Sequence, residues 1–307
     1  MTATLRALFW SSRPLSWINT AFPFAAAYVL TAASTPRDGA AAPAGSFDFS
    51  TVPWLVAVVG FVFFLVPYNL AMYGINDVFD YESDLRNPRK GGVEGALLDR
   101  GMHRPTLVAS VVTTVPFLVF LVAVGGPLSA LVLAVSMFAV VAYSAPRLRF
   151  KERPFVDSVT SSTHFVSPAV FGLVLAGAAF TPALWALLGA FFLWGMASHA
   201  FGAVQDVLAD REGGIASTAT VIGARSTVRL SVVAYLLAGV LMTFTDWPGP
   251  LAALIPVGYA ISCAPWWNVA DADAEGVNKG WRRFLTLNFV SGFLTTMLLI
   301  WWVSLRG

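Results

Sequence analysis

Nine apolar runs, near 14–33, 52–76, 105–124, 127–146, 155–178, 181–205, 227–245, 249–266 and 284–304, approach the roughly 20 residues a helix needs to cross a bilayer. Hydrocarbon offers no water to a backbone N–H or C=O, and a helix satisfies both within one segment. The expected fold is therefore all-α: a polytopic membrane protein of about nine transmembrane helices. Charged residues make up only 12% of the chain, against about 25% in soluble domains. Adjacent spans are separated by tight turns at Gly125, Gly126 and Pro127 and at Trp247 to Pro250. No segment has the composition of a separate soluble domain, so residues 1–307 are expected to form one transmembrane domain.

Arg6 and Arg13 precede the first run, which is long enough to span and lacks a clean small-residue cleavage pattern, so it reads as a retained helix. Alternating the loops between the two sides places 17 of the 19 lysines and arginines on the side of the N-terminus, all but Arg37 and Arg306. Positive residues stay on the cytoplasmic side of short loops, so an N-in, C-out chain with an odd number of helices is expected. The same basic loops can face anionic lipid. A net charge of +2 gives no footing for nucleic-acid binding, and the lone Cys263 excludes an intrachain disulfide or a multi-cysteine zinc site.

The 17 acids are unevenly placed: Asp77, Asp80, Glu82 and Asp84 lie at the end of the second span, and Asp206, Asp210 and Glu212 at the end of the sixth. The stretch from Gly74 to Asp80 is echoed by Gly202 to Asp210, 128 positions later, which predicts two pseudo-repeated four-helix halves followed by a ninth helix. Side chains four apart share a helix face. Asn76, Asp80 and Asp84 would then form one oxygen-bearing stripe, and Asp206 and Asp210 another. An acid at bilayer depth costs about 2.5–3.5 kcal/mol on insertion scales, and crowded like charges add to that cost. A hard divalent cation would offset both. Magnesium characteristically takes a few carboxylates together with substrate phosphates. The plainer reading is a set of solvated acids where helices leave lipid; two clusters with matched spacing beside basic loops favour the cation site.

Tyr143 and Ser144 lead into a basic loop with Arg147, Arg149, Lys151 and Arg153, and Arg86, Arg89 and Lys90 follow the first acidic stripe. Guanidinium forks and a lysine point charge can hold a diphosphate, although any one of these residues also serves the positive-inside topology. Asp157 is placed to pair with one of them. Tyr68, Tyr73, Phe79, Phe165 and Trp194 are candidate liners for a cationic intermediate, with lipid contact or core packing as the plainer role in a chain of 24 Phe and 11 Trp. His164 and His199 lie within spans and read as packing histidines.

The sequence from Asn76 through Asp77 and Asp80 to Asp84 resembles the first aspartate-rich motif of the intramembrane UbiA-type prenyltransferase superfamily, and Asp206 to Asp210 resembles its second. The loop from Tyr143 to Arg153 is similar to that family's basic loop, and the likeness runs from about Arg13 to the last helix. Longer stretches, at 12–19, 67–84, 161–165 and 192–198, are similar to the bacterial lycopene elongases of C50 carotenoid biosynthesis.

The resemblance implies a nine-helix prenyltransferase domain. Dimethylallyl diphosphate would ionise on Mg2+, and the allyl cation would add to an end of lycopene in the membrane lipid. Two rounds would give an acyclic C50 carotenoid such as flavuxanthin, hydrated or deprotonated. It implies that Asn76, Asp80, Asp84, Asp206 and Asp210 hold the diphosphate through magnesium, and that Arg147, Arg149 and Lys151 contact it. Tyr143 and Arg86 complete the expected substrate-binding set. Asp77 points off the stripe toward a basic partner, and Gln205 stands where the first motif has Asn76. Two other functions stay open: prenylation of a quinone precursor, haem or chlorophyllide, and cation-coupled transport, since intramembrane acids and repeats also mark ion pathways. Acids gathered at helix ends beside basic loops favour polyanion binding over a midplane ion site.

Overall fold

The computed structural model describes residues 3–34, 46–85 and 98–306, with the side chains of 83 and 84 excepted. A nine-residue helix, α1 (Ala3–Ser11), precedes the first expected run. The helices that follow the expected runs are α2 (Trp17–Ser34), α3 (Trp54–Leu65), α4 (Pro67–Phe79), α5 (His103–Val124), α6 (Pro127–Ser144), α7 (Val156–Leu175) and α8 (Pro182–Val204). Two short helices, α9 (Val207–Glu212) and α10 (Thr218–Ile222), precede α11 (Ala224–Met242), α12 (Leu254–Cys263) and α13 (Asn278–Ser304). Among the described residues there is no strand, and eight helical segments are long and apolar enough to cross a membrane. The 18-residue α2, with Asn19 and Thr20 near its start, makes the ninth of the expected set.

Two further features depart from the expected runs. The second span is two helices, α3 and α4, because Pro67 has no N–H to continue the ladder. The carbonyl of Phe64 is taken up by Asn69 Nδ2 at 2.8 Å and by Thr20 Oγ1 at 2.7 Å, and Asn69 also donates to Leu65. Side-chain donors from the same and a neighbouring helix thus repair the break, as a membrane interior requires. The last helix begins at Asn278, so Lys279, Arg282 and Arg283 lie in its first turns and not in a preceding loop.

The described chain gathers into two compact units, one holding 3–34, 48–85, 98–150 and 164–178, the other 46–47, 151–163 and 179–306. The expected division falls between the fourth and fifth spans; the observed one lies inside α7. Its physical basis is local. In the second unit, Ser162 on α7 donates to the carbonyl of Phe192 at 2.7 Å and lies against Gly195, where a Cβ would come within 2.4 Å of the hydroxyl. In the first unit, Gly172 brings α7 so near α2 that a Cβ there would lie 2.8 Å from the Phe24 carbonyl.

Aromatic side chains fill the centre of each unit. Phe24, Phe63, Phe64, Tyr68 and Phe171 are fully buried in the first, with Tyr68 Oη bonded to Ser136 at 3.1 Å and Ser136 to Ser167 at 2.7 Å. In the second, Trp194, Tyr259 and Phe284 meet, and Tyr235 Oη bonds Ser198 at 2.9 Å. Of the expected liners, Tyr68 is thus a packing group with a bonded hydroxyl, and Trp194 packs against the Tyr259 and Phe284 rings.

Candidate active site

In the first unit, α4 ends at Phe79 and Asp80 caps it with φ −100° and ψ 0°, its N–H donating to the Asn76 carbonyl at 2.9 Å. A new helical turn begins at Tyr81. The expected stripe is thus not one continuous helix face: it bends at Asp80. Asn76 and Asp80 remain neighbours across the bend, with Asn76 Nδ2 donating to Asp80 Oδ2 at 2.6 Å. The same amide nitrogen donates to Ser144 Oγ, the buried last residue of α6, at 2.9 Å. With both N–H groups engaged, the amide oxygen is what Asn76 can offer to a cation.

Arg149 joins this group. Its guanidinium lies 3.8 Å from Asp80 Oδ1, and Asp80 is buried. Arg147 and Arg149 both take left-handed backbone conformations, φ 74° and 41°. For side chains of this size such conformations are uncommon and collect at functional sites. Arg147 is exposed, Tyr143 lies edge-on to His164 with ring centroids 5.2 Å apart, and Lys151 sits half-buried in a helical turn over Phe150–Glu152. The structure thus brings Asn76, Asp80, Ser144 and Arg149 together. Arg86 and the side chain of Asp84 lie outside the described residues.

Asp77 faces another way. Arg13 NH2 bonds its Oδ1 at 2.6 Å, and Ser11 Oγ bonds its Oδ2 at 2.7 Å. The expected basic partner is real, and it comes from 64 positions upstream. Asp77 is 1% exposed. Removing one member of such a buried pair strands the other charge, at a cost of about 3–5 kcal/mol.

In the second unit, α8 ends at Val204 and Gln205 caps it. Asp206 has φ −96° and ψ −2° and precedes α9, which carries Asp210. Asp80 and Asp206 thus share one backbone conformation at a helix-to-helix bend. The sequence echo pairs Asp206 with Asp77; the backbone pairs it with Asp80, because Asp77 lies inside a helix. Asp210 N–H donates to the Asp206 carbonyl at 2.8 Å, which keeps the two acids one turn apart. Gln205 accepts from Asn278 Nδ2 at 2.6 Å.

Residues that sequence reasoning passed over hold this second bend. Arg211 bonds the Thr220 carbonyl through Nε and NH2 and reaches Asp271 at 2.6 Å, while Asp271 accepts from the Ala224 N–H that opens α11. Asp157 does not pair with the basic loop. It is fully buried, accepting from Thr218 N–H and Oγ1 and from Ser158 N–H. His199 is tied to Ser158 Oγ at 3.1 Å. Only the i, i+4 acids carry a sequence signal strong enough to find; these partners lie too far apart along the chain.

Residues 21–290 match the UbiA prenyltransferase family. The chain belongs to that family. It is a multi-pass membrane prenyltransferase of the family's helical type. A lycopene elongase/hydratase of Corynebacterium glutamicum is 53% identical to it, with 98% of each chain covered. A C50 beta-cyclic carotenoids biosynthesis protein, LbtBC, of Dietzia sp. strain CQ4 is 57% identical over 97% of this prenyltransferase. The chain spans 65% of the length of that Dietzia protein. Among solved structures, a UbiA homologue from Archaeoglobus fulgidus bound to GPP and Mg2+ superposes with a TM-score of 0.66 at 17% identity, covering 93% of this chain and 99% of that one. At that identity the likeness establishes the fold.

Proposed function

We propose that this prenyltransferase transfers dimethylallyl groups from dimethylallyl diphosphate to the ends of lycopene, giving an acyclic, flavuxanthin-like C50 carotenoid. The observation that carries the reading is the 53% identity with a lycopene elongase/hydratase along 98% of both chains. Family membership removes the transporter reading, and that identity favours a carotenoid over a quinone precursor, haem or chlorophyllide as acceptor.

Asn76, Asp80, Asp84, Asp206 and Asp210 are the proposed magnesium and diphosphate ligands. The UbiA homologue from Archaeoglobus fulgidus is described with DMAPP and Mg2+ bound. The donor set here fits that metal, being carboxylates with one amide oxygen. Magnesium, when bound, would neutralise charge developing on the departing diphosphate.

The chain's own residues do the rest. Asp80 is held by Asn76 and Arg149, and Asn76 by Ser144, so these groups are oriented before substrate arrives. Arg149, Arg147 and Lys151 add positive charge for the leaving group, with Tyr143 and Arg86 in the same binding set. As the allylic C–O bond breaks, its electron pair leaves with diphosphate. The terminal alkene of lycopene then supplies the pair for the new C–C bond, and the resulting cation loses a proton or takes up water. The enzyme acts in the cell membrane with its acidic motifs and basic loops cytoplasmic, as the placement of 17 of 19 basic residues supports.

The test is expression in cells that accumulate lycopene, with extracted pigments analysed by mass. C45 and C50 species are expected, and none from Asp80→Ala. Unchanged lycopene beside folded protein would overturn the acceptor assignment.

A further inference from the structure

The first acidic motif holds four acids, and the proposed ligand set uses two of them with Asn76. Asp77 sits inside that motif yet is turned away from it. Helical spacing puts Tyr73 and Asp77 on one face of α4 and Asn76 and Asp80 on the next. The Asp77 face is closed by the N-terminal segment. Arg13 approaches with two nitrogens, at 2.6 and 3.5 Å, and Ser11 adds a third donor at 2.7 Å. The guanidinium also lies over the Tyr73 ring, 5.4 Å from its centroid. Arg13 takes a left-handed backbone, φ 53° and ψ 70°, between α1 and the turn over Pro14–Ser16. An unfavourable conformation for a long side chain is thus kept where it lets the guanidinium reach α4.

The position of this contact matters. Helix ends lack intrahelical partners and fray first, and α4 ends one turn beyond Asn76. A rotation of that last turn would move Asn76 and Asp80 together away from Ser144 and Arg149. The Arg13 contact, made one residue after Asn76 and three before Asp80, opposes that rotation.

We infer that Asp77, clamped by Arg13 and Ser11, is a positioning residue that fixes the rotation of the first acidic motif, and that Arg13 serves this clamp and not the diphosphate. The inference rests on the magnesium diphosphate reading of the motif. Groups that orient metal ligands from behind are worth about 10–100-fold in affinity.

The test uses the detergent-purified full chain and a non-reacting dimethylallyl thiolodiphosphate, with Mg2+ titrated and thermal protection as the readout. Wild type should be protected in a magnesium-dependent manner. Asp77→Asn, which keeps the side-chain shape, should unfold cooperatively and need about 10–100-fold more Mg2+ for half-protection. Arg13→Ala should show the same shift, the double variant no further loss, and Arg13→Lys a partial recovery. Ser11→Ala, which leaves the ion pair in place, should shift the midpoint in the same direction by less, and reports in place of Asp77→Asn should that variant not fold.

Unchanged magnesium midpoints in the folded variants, additive losses in the double variant, or tighter diphosphate binding in Asp77→Asn would overturn the inference. The last result would identify Arg13 as a diphosphate ligand. Wild type that the analogue fails to protect would overturn the diphosphate reading itself, and the inference with it.

Discussion

Asp80 is a buried carboxylate whose two oxygens are addressed separately, Oδ2 by Asn76 at 2.6 Å and Oδ1 by Arg149 at 3.8 Å. Such a group is poised to accept a cation without rearranging. Asp80→Ala and Asp206→Ala are each expected to lower turnover by at least about 10²-fold while the protein still purifies as a folded monodisperse species. Full activity in both would contradict the ligand assignment. Ser144→Ala is a milder test. It leaves one Asn76 N–H without its 2.9 Å acceptor, a loss of about 1 kcal/mol, so prenyl diphosphate affinity should fall several-fold. Activity equal to wild type would show that Ser144 does not orient Asn76. The acids themselves were legible because i, i+4 spacing is a local property. Ser144, 68 positions from Asn76, and Arg13, 64 from Asp77, were not, because only tertiary packing selects which hydroxyl and which guanidinium arrive.

Element boundaries were legible where composition changes sharply and not where a single residue interrupts an apolar run. Pro67 divides the second span, yet its neighbours are as apolar as those on either side, so hydropathy sees one helix and Asn69 and Thr20 see two. Close approach between elements is likewise set by single glycines. Gly172→Ala would drive a Cβ to 2.8 Å from the Phe24 carbonyl on α2. It should destabilise the protein by about 1–3 kcal/mol, read as a lower unfolding midpoint in detergent. Gly292→Ala, which meets nothing within 4 Å, should hold or raise that midpoint, since alanine favours helix by up to about 1 kcal/mol. Equal effects at the two sites would show that the α7 and α2 contact is not close-packed.

At the scale of the molecule, the expected pair of halves survives as two compact units, but the boundary runs through α7 because its two ends pack on different helices. The shared bend at Asp80 and Asp206 is better support for the repeat than the sequence echo, which aligns a buried ion-paired Asp77 with a helix-end acid. The proposed orientation rests on the basic loops. Cys263 is buried and so should stay silent toward a membrane-impermeant thiol reagent. Asp246→Cys should label in intact cells, and Arg153→Cys only after permeabilisation. The reverse pattern would invert the proposed topology.

The most direct measurement of the central claim is reconstitution of the purified chain in lipid with lycopene and deuterated dimethylallyl diphosphate, with and without Mg2+. The account predicts C45 and then C50 products carrying one and two labelled units, formed only with the metal and absent from Asp80→Ala and Asp206→Ala. Labelled product that forms equally without a divalent cation, or in either variant, would contradict it.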